Sequence, residues 1–529
     1  MGLCLNVSPI DLVDLREHSN VRFGNQDACR SAGAGVTIRR KFLKGGLILS
    51  AGQVLSQGMS VIRNILIARL IVTEADFGIA STLILVVGLN EMLSNIATNT
   101  LILQDKDGDD LQFVNVIHFA SAMRGLFGSI TFLVFAYPMA FLFGVKEASW
   151  AFVGLAAVPL LRGLIHHDIY RFQRHFLFFP AAIQETLGQL VTLLVCVPLL
   201  QIFRDYSAVL YILIIQTAAA TLFSHLVAEY PYRWAHNRDI ERRILSFGIP
   251  LLFNGIFMFG IMQGERFAIG SSGRVFDAAR YSMEDMAAYS AAVMIASLVP
   301  QFLSRVFGGL FMPALSGEEG NSFIRRNSLC IHACVLSAGL VAIPLIVFSH
   351  EIIRIVYGGR YSNAGNIVAC VAFAQALYML RVGGNVALLA RGYTWDAFIN
   401  NLWRSITLPG ILMVTAAGLP LVWIAIPAIV GESVAIIALA GQTWKRCSIP
   451  VSDLLKPFTL LFCGLAAASL FPLFWSHEPQ SLVHFAAGFM VWGGFLCTWI
   501  VLFPSGFSSV RKLLNFSANR SEVRADVNN

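Results

Sequence analysis

The chain has 529 residues, 56% of them hydrophobic and 13% charged, with a net charge of +7. Soluble chains carry about 25% charged residues, so the composition excludes a string of soluble domains. It also means that the basic balance has to be read from where the charges sit, not as a nucleic-acid signal.

Residues 1–37 are polar and charged and hold no apolar run of the kind a secretory signal needs. They are expected to be mobile, and 1–44 as a whole is read as a cytoplasmic extension. From Gly45 to Phe503 about fourteen apolar stretches follow one another: 45–71, 77–103, 113–143, 148–165, 178–203, 207–228, 244–267, 288–314, 329–348, 365–389, 403–418, 421–443, 455–475 and 483–503. A hydrocarbon core of ~30 Å needs roughly 20 helical residues, and in lipid only helices or closed barrels satisfy their backbone. The predicted fold is all-α and polytopic, with about fourteen transmembrane helices. The tail, 504–529, is polar again and is expected to be cytoplasmic.

With the N-terminus inside, the inner segments hold 23 Lys and Arg and the outer loops hold 6. This is the positive-inside bias. It places both termini in the cytoplasm and accounts for the basic balance without a nucleic acid. Gln104–Gln112 is acidic yet inside, and acidic residues weigh little in this rule. His166, His167 and Asp168 fall on an inner connector among Arg162, Arg171 and Arg174, which reads as a basic patch facing anionic lipid. The nine cysteines, mostly within spans, read as small apolar fillers.

The first span ends Ala68-Arg69-Leu70 and is followed by Ala75-Asp76-Phe77-Gly78. The seventh ends Glu265-Arg266-Phe267 and is followed by Asp277-Ala278-Ala279-Arg280-Tyr281. An arginine at the outer end of an odd span, then an acidic residue before the next, suggests two six-helix lobes, 45–228 and 244–443. Both run outward first, so an axis along the membrane normal would relate them. Two extra helices, 455–503, complete the chain. Proline and glycine are dense in the spans, which suits close packing and helices that bend.

Ionisable groups at membrane depth are costly and mark candidate sites. Gln53, Gln57, Ser60, Arg63 and Asn64 form one polar face of the first span. Glu91, Asn95 and Thr98 do so in the second, and Glu185, Gln189 and Thr192 in the fifth. Asn115 and His118 share a face of the third span, where Arg124 lies near mid-depth. Arg305 lies in the eighth, Gln375, Tyr378, Arg381 and Asn385 share a face of the tenth, and Glu432 lies in the twelfth. For any one of them a packing role stands beside the functional one, and Arg69 and Arg266, at span ends, are expected to snorkel. Together the stripes imply a central water-filled cavity. Its candidate substrate-binding residues are Arg63, Glu91, Arg124, Glu185, Arg305 and Arg381, and the arginines make it attractive to anions, phosphate above all. No Walker loop, His-Glu-x-x-His or nucleophile elbow is present, so no enzymatic activity, cofactor or metal site is expected, and coupling to H+ or Na+ stays open.

Several stretches resemble the signature of bacterial polysaccharide (O-antigen type) flippases. They are Ala68-Arg69-Leu70 through Thr73-Glu74-Ala75-Asp76-Phe77-Gly78-Ile79-Ala80, Phe247-Gly248-Ile249-Pro250-Leu251-Leu252, Gly264-Glu265-Arg266-Phe267-Ala268-Ile269-Gly270, Phe311-Met312-Pro313-Ala314-Leu315-Ser316, and Glu351-Ile352-Ile353-Arg354-Ile355-Val356-Tyr357-Gly358 with Arg360-Tyr361. In order they cover roughly 40–450. Val61-Ile62-Arg63-Asn64 with Ala68-Arg69 is also similar to the first helix of the lipid II flippase, whose equivalent arginine faces the cavity. Glu265 stands where an aspartate is common.

The resemblance implies the superfamily that also holds multidrug antiporters, with two six-helix lobes around a central cavity. It implies an undecaprenyl-diphosphate-linked oligosaccharide as cargo, moved from the inner to the outer leaflet of a bacterial inner membrane. A polysaccharide polymerase and chain-length or export proteins would be partners beside membrane lipid. The alternative is a multidrug or organic-cation antiporter of the same superfamily, for which Glu91 and Glu185 would serve and the arginines would not. A membrane glycan polymerase would need a long outer loop with catalytic groups, and the outer loops here are short.

Overall fold

The computed structural model describes residues 32–94, 98–175, 177–276, 281–316, 318–474 and 482–503. The expectations for 1–31 and for the tail after Phe503 lie outside these residues, as do Asn95 and the 277–280 part of the second repeat.

Among the described residues the chain is helical, without strands. The helices are α1 (Ala32–Leu70), α2 (Glu74–Ser94), α3 (Thr98–Gln104), α4 (Leu111–Leu142), α5 (Ser149–Gly154), α6 (Ala157–Gly163), α7 (Asp168–Arg174), α8 (Phe179–Phe203) and α9 (Ser207–Val227). They continue with α10 (Arg238–Val275), α11 (Met283–Leu315), α12 (Gly320–Val347), α13 (Ser349–Tyr357), α14 (Gly365–Ala390), α15 (Thr394–Arg404), α16 (Thr407–Ala416), α17 (Ile426–Cys447), α18 (Ser452–Phe474) and α19 (Leu482–Leu502). Among the described residues eleven helices are long and apolar enough to cross a membrane, or up to twelve if the bent pair at Gly163–Asp168 is one span. The sequence predicts about fourteen. The remaining two predicted spans fall on α1, whose polar stripe interrupts its apolar run, and on α15–α16, which are separate short helices.

α1 has 39 residues and α10 has 38. At 1.5 Å per residue each is about 57 Å long, well beyond a ~30 Å core. Both begin among basic residues, Arg39, Arg40, Lys41 and Lys44 in α1 and Arg238, Arg242 and Arg243 in α10. The helix that carries the first predicted span begins before it, at Ala32.

Packing divides the helices into two groups. In the first, α1 lies on α8, α8 on α9, and α4 on α5 and α6. In the second, α11 and α12 lie on α14, α14 on α17, and α10 on α16. α2 meets α10 and α11 across the divide, and α18 and α19 attach to α12. The groups are tied at the end that bears Arg69. Arg69 donates to the carbonyls of Ile355 and Val356, and Arg360 donates to those of Ile71 and Val72. Arg69 therefore bridges the groups and is not a snorkelling side chain. Gly78 lies directly against the Met283 carbonyl, where no Cβ would fit. At the opposite end Arg243 of α10 holds Asp105 at 3.2 Å and Asp107 at 2.9 Å, which gives the acidic Gln104–Gln112 connector its counter-charge.

Candidate functional site

Glycine places a charged cavity in the first group. α4 and α6 cross at Gly125 and Gly163. A Cβ on Gly125 would stand 2.6 Å from the Pro159 carbonyl oxygen and 2.8 Å from the Gly163 Cα, closer than any side chain allows. Arg124 and Arg162 are the residues immediately before these two glycines. The close crossing therefore delivers two guanidinium groups to one cavity.

That cavity has a volume of about 330 Å³, at the lower end of the range of small-molecule pockets. α2, α3, α4, α6, α7 and α9 line it, with Glu91, Asn99, Arg124, Arg162, Tyr170 and Gln216 as its chief polar groups. Glu91 pairs with Arg162, both partly exposed to the cavity. Arg124 has no hydrogen bond or ion pair among the described residues, so its charge is not cancelled by direct contact.

Arg63 of α1 reaches the wall of this cavity through Gln216. Its side chain is buried. Nη1 donates to Gln216 at 2.8 Å and Gln189 at 3.1 Å, and the remaining nitrogens donate to Ser60 at 3.2 Å and Asn64 at 3.3 Å. Every partner is neutral. Gln216 holds Arg63 and lines the cavity, so it joins the α1 stripe to Arg124 and Arg162. Glu185 sits one helical turn before Gln189 and accepts from Ser56 at 3.1 Å. Two guanidinium groups, Arg124 and Arg162, thus line the cavity beside one carboxylate, Glu91, and Arg63 stands behind Gln216, an arrangement with affinity for an added anion and donors suited to phosphate.

Arg381 belongs to a second cluster. In the second group Glu432 is held between Arg381 at 2.7 Å and Arg404 at 2.5 Å. Arg381 also donates to Asn400 at 3.2 Å and Asn401 at 3.0 Å, and the Tyr378 ring lies 5.5 Å from one guanidinium and 5.6 Å from the other. Arg381 and Glu432 are almost wholly buried. This is a buried ion-pair network in which Arg404 Nη1 keeps no partner among the described residues. Gln375 and Asn385, on the same predicted stripe, keep buried oxygens without partners among the described residues. Arg305 is exposed and forms no hydrogen bond or ion pair among them.

Sequence reasoning did not select Arg162, Gln216 or Tyr170. Arg162 had been counted with the positive charge at inner span ends. Its signal was the Arg-Gly pair it shares with Arg124. Gln216 is a single amide in an apolar run, a polar group at membrane depth like the others. His166, His167 and Asp168 are buried at 1%, 3% and 1% exposure, so they are not a lipid-facing patch. Among the described residues no group of side chains could hold a metal, and every cysteine is free.

A family model described as polysaccharide biosynthesis protein matches residues 66–366. The stage V sporulation protein B of Bacillus subtilis is 23% identical over 480 residues, 82% of this chain and 90% of that protein. The succinoglycan biosynthesis transport protein ExoT of Rhizobium meliloti is 22% identical over 496 residues, 88% of this chain and 93% of that protein. Among solved structures, the lipid II flippase MurJ in an inward closed conformation superposes with a TM-score of 0.68 at 12% identity, over 87% of this chain and 99% of that one. An inward-facing multidrug resistance transporter of the MATE family does so with a TM-score of 0.54 at 16% identity, over 77% and 96%.

Proposed function

Since the chain belongs to the polysaccharide biosynthesis protein family and has a MurJ- and MATE-like helical fold, we propose that it is a membrane flippase that moves undecaprenyl-diphosphate-linked oligosaccharide from the inner to the outer leaflet of a bacterial inner membrane. The observation that carries this reading is the cationic cavity, where Arg124 and Arg162 line a space with amides and a tyrosine and Arg63 is held by Gln216 of its wall. Guanidinium forks suit a diphosphate, and the amides suit sugar hydroxyls.

The tie between the helix groups at Arg69 and Arg360 supports a resting form closed at the outer end. The charge split of 23 to 6 supports N-in, C-in orientation. The names of the succinoglycan transport protein and the lipid II flippase fit a lipid-linked glycan as cargo. A polymerase and chain-length or export proteins would then act on the delivered repeat unit, and the driving ion, H+ or Na+, belongs to the same proposal. A cation antiporter is the weaker reading, because the cavity holds more guanidinium than carboxylate.

Depletion of the protein in its host tests this. Lipid-linked oligosaccharide should build up in the inner leaflet while its synthesis continues. Unchanged lipid-linked oligosaccharide together with raised sensitivity to organic cations would favour the antiporter.

A further inference from the structure

The connector between α9 and α10, residues 228–237, is the covalent link between the two helix groups, and it is fastened to the first group by histidines that the cavity does not use. The His118 ring stacks on Tyr232 with centroids 4.3 Å apart, and its Nδ1 lies 3.3 Å from the Arg233 carbonyl. His166 Nε2 lies 3.0 Å from the Tyr230 carbonyl. Asp168 accepts from the amides of Glu229 at 2.8 Å and Tyr230 at 3.4 Å, and Arg171 bridges Asp168 at 2.6 Å and Glu229 at 2.9 Å. The Ala235 amide donates to the Asn115 carbonyl at 3.3 Å.

The second nitrogen of each ring is an acceptor. His118 Nε2 takes the amide of His167 at 3.0 Å, and His166 Nδ1 takes the amide of Asp168 at 3.2 Å. A neutral imidazole has one donor and one acceptor, and a protonated one has two donors. Both rings therefore complete their bonds only when neutral. Protonation would set an N–H against a buried backbone N–H and cost the acceptor.

We propose that this histidine clasp makes the connector a rigid part of the first helix group. The two groups then pivot at Asn237, whose side chain caps α10 by accepting from the amides of Asp239 and Ile240. The clasp holds only while His118 and His166 are neutral. They are positioning residues for transport and touch no cargo.

The groups facing the two rings bear this out. From α7 they are Asp168 and Arg171, from the preceding connector His167, from α9 His225, which lies 5.3 Å from His166, and from the α9–α10 connector Tyr230, Tyr232 and the Arg233 backbone. Arg124 of α4 faces His167. Asp168 is the acidic member, and Arg171 and two amides already occupy it. On the far side of α7, Asp109 is taken by Arg174 at 3.0 Å and His175 at 2.8 Å. Asp168 favours an imidazolium through space, but among the described residues no second carboxylate faces the two rings. With the clasp open the rings are free to protonate, so the closed form loses relative stability as the pH falls below about 6.5.

Hydrogen–deuterium exchange on the full-length protein in nanodiscs reads the clasp directly, because the amides of residues 167, 168, 229, 230 and 235 are its bonds. After correction for intrinsic rates, protection of 166–168 and 229–235 should fall together by at least about tenfold between about pH 7.5 and about pH 5.5, one unit below the ordinary histidine value. The remainder of α4 should stay unchanged. His118→Gln offers an amide oxygen to His167 and does not titrate, so it should blunt the loss. Equal protection at both pH values, or a connector that exchanges freely at neutral pH, overturns the proposal. If the variant does not fold, the pH comparison on the parent protein still decides.

Discussion

Arg63→Ala should abolish most transport while the protein still inserts and folds. The side chain is buried, its partners are Gln189, Gln216, Ser60 and Asn64, and none of them carries a charge. A lone arginine at the centre of a membrane helix costs at least ~2.5–3.5 kcal/mol on insertion scales, so keeping one buried within the first span without a counter-ion points to a ligand that supplies the negative charge. Removing it leaves amides and a hydroxyl that can bond to one another or to water, so the stability cost should be small. Each charge-assisted hydrogen bond to the ligand contributes about 1.5–3 kcal/mol, a factor of about 10 to 100 in rate. Arg63→Lys keeps the charge without the fork and should fall between. The readout is lipid-linked oligosaccharide held in the inner leaflet, beside the amount of protein in the membrane. Normal transport by Arg63→Ala would remove Arg63 from the cavity mechanism. Loss of the protein itself would make it a packing residue.

Glu432→Ala should act in the opposite way, through stability. Glu432 is the shared counter-ion of Arg381 and Arg404, and its removal leaves two guanidinium groups buried beside each other. Breaking a buried ion pair in this manner costs about 3–5 kcal/mol. The midpoint of thermal unfolding in detergent and the amount of protein in the membrane should both drop sharply. Replacing all three residues by apolar ones of similar size, Arg381→Met, Arg404→Met and Glu432→Leu, removes the charges together and should recover most of the loss. A triple variant that folds and transports makes this cluster a device of packing. One that folds and does not transport gives the cluster a role in moving cargo.

These two arginines show what the sequence could reveal. The all-helical membrane fold was legible because apolar runs are local, and Arg63 was legible because its polar face repeats at the helical period along α1. Arg381 carried the same local signature. Its meaning depends on Glu432, 51 residues away and brought to it only by the packing of α14 on α17. Arg162 was hidden by a rule that works for topology, since a basic residue at a span end is expected there anyway. Its role depends on the Gly125–Gly163 crossing, which is tertiary. The histidines of 166–167 read as part of a lipid-facing basic patch because arginines surround them in sequence, whereas the structure buries them beside the helix break at Gly163–Asp168. Two of the predicted spans fall on helices that length and composition alone do not mark as spans, because the polar stripe lowers the hydropathy of α1 and the Ser405–Ile406 break divides α15 from α16.

The most direct test uses purified full-length protein in vesicles with a polyprenyl-diphosphate-linked oligosaccharide confined to one leaflet. A glycosidase outside the vesicles reports its arrival in the other. The parent protein should move this lipid well above the rate of protein-free vesicles, Arg63→Ala should fall close to that background, and a glycolipid without phosphate should not be moved. Transfer no faster than in protein-free vesicles, or equal transfer of the phosphate-free lipid, would contradict a cavity built to carry an anionic glycolipid headgroup.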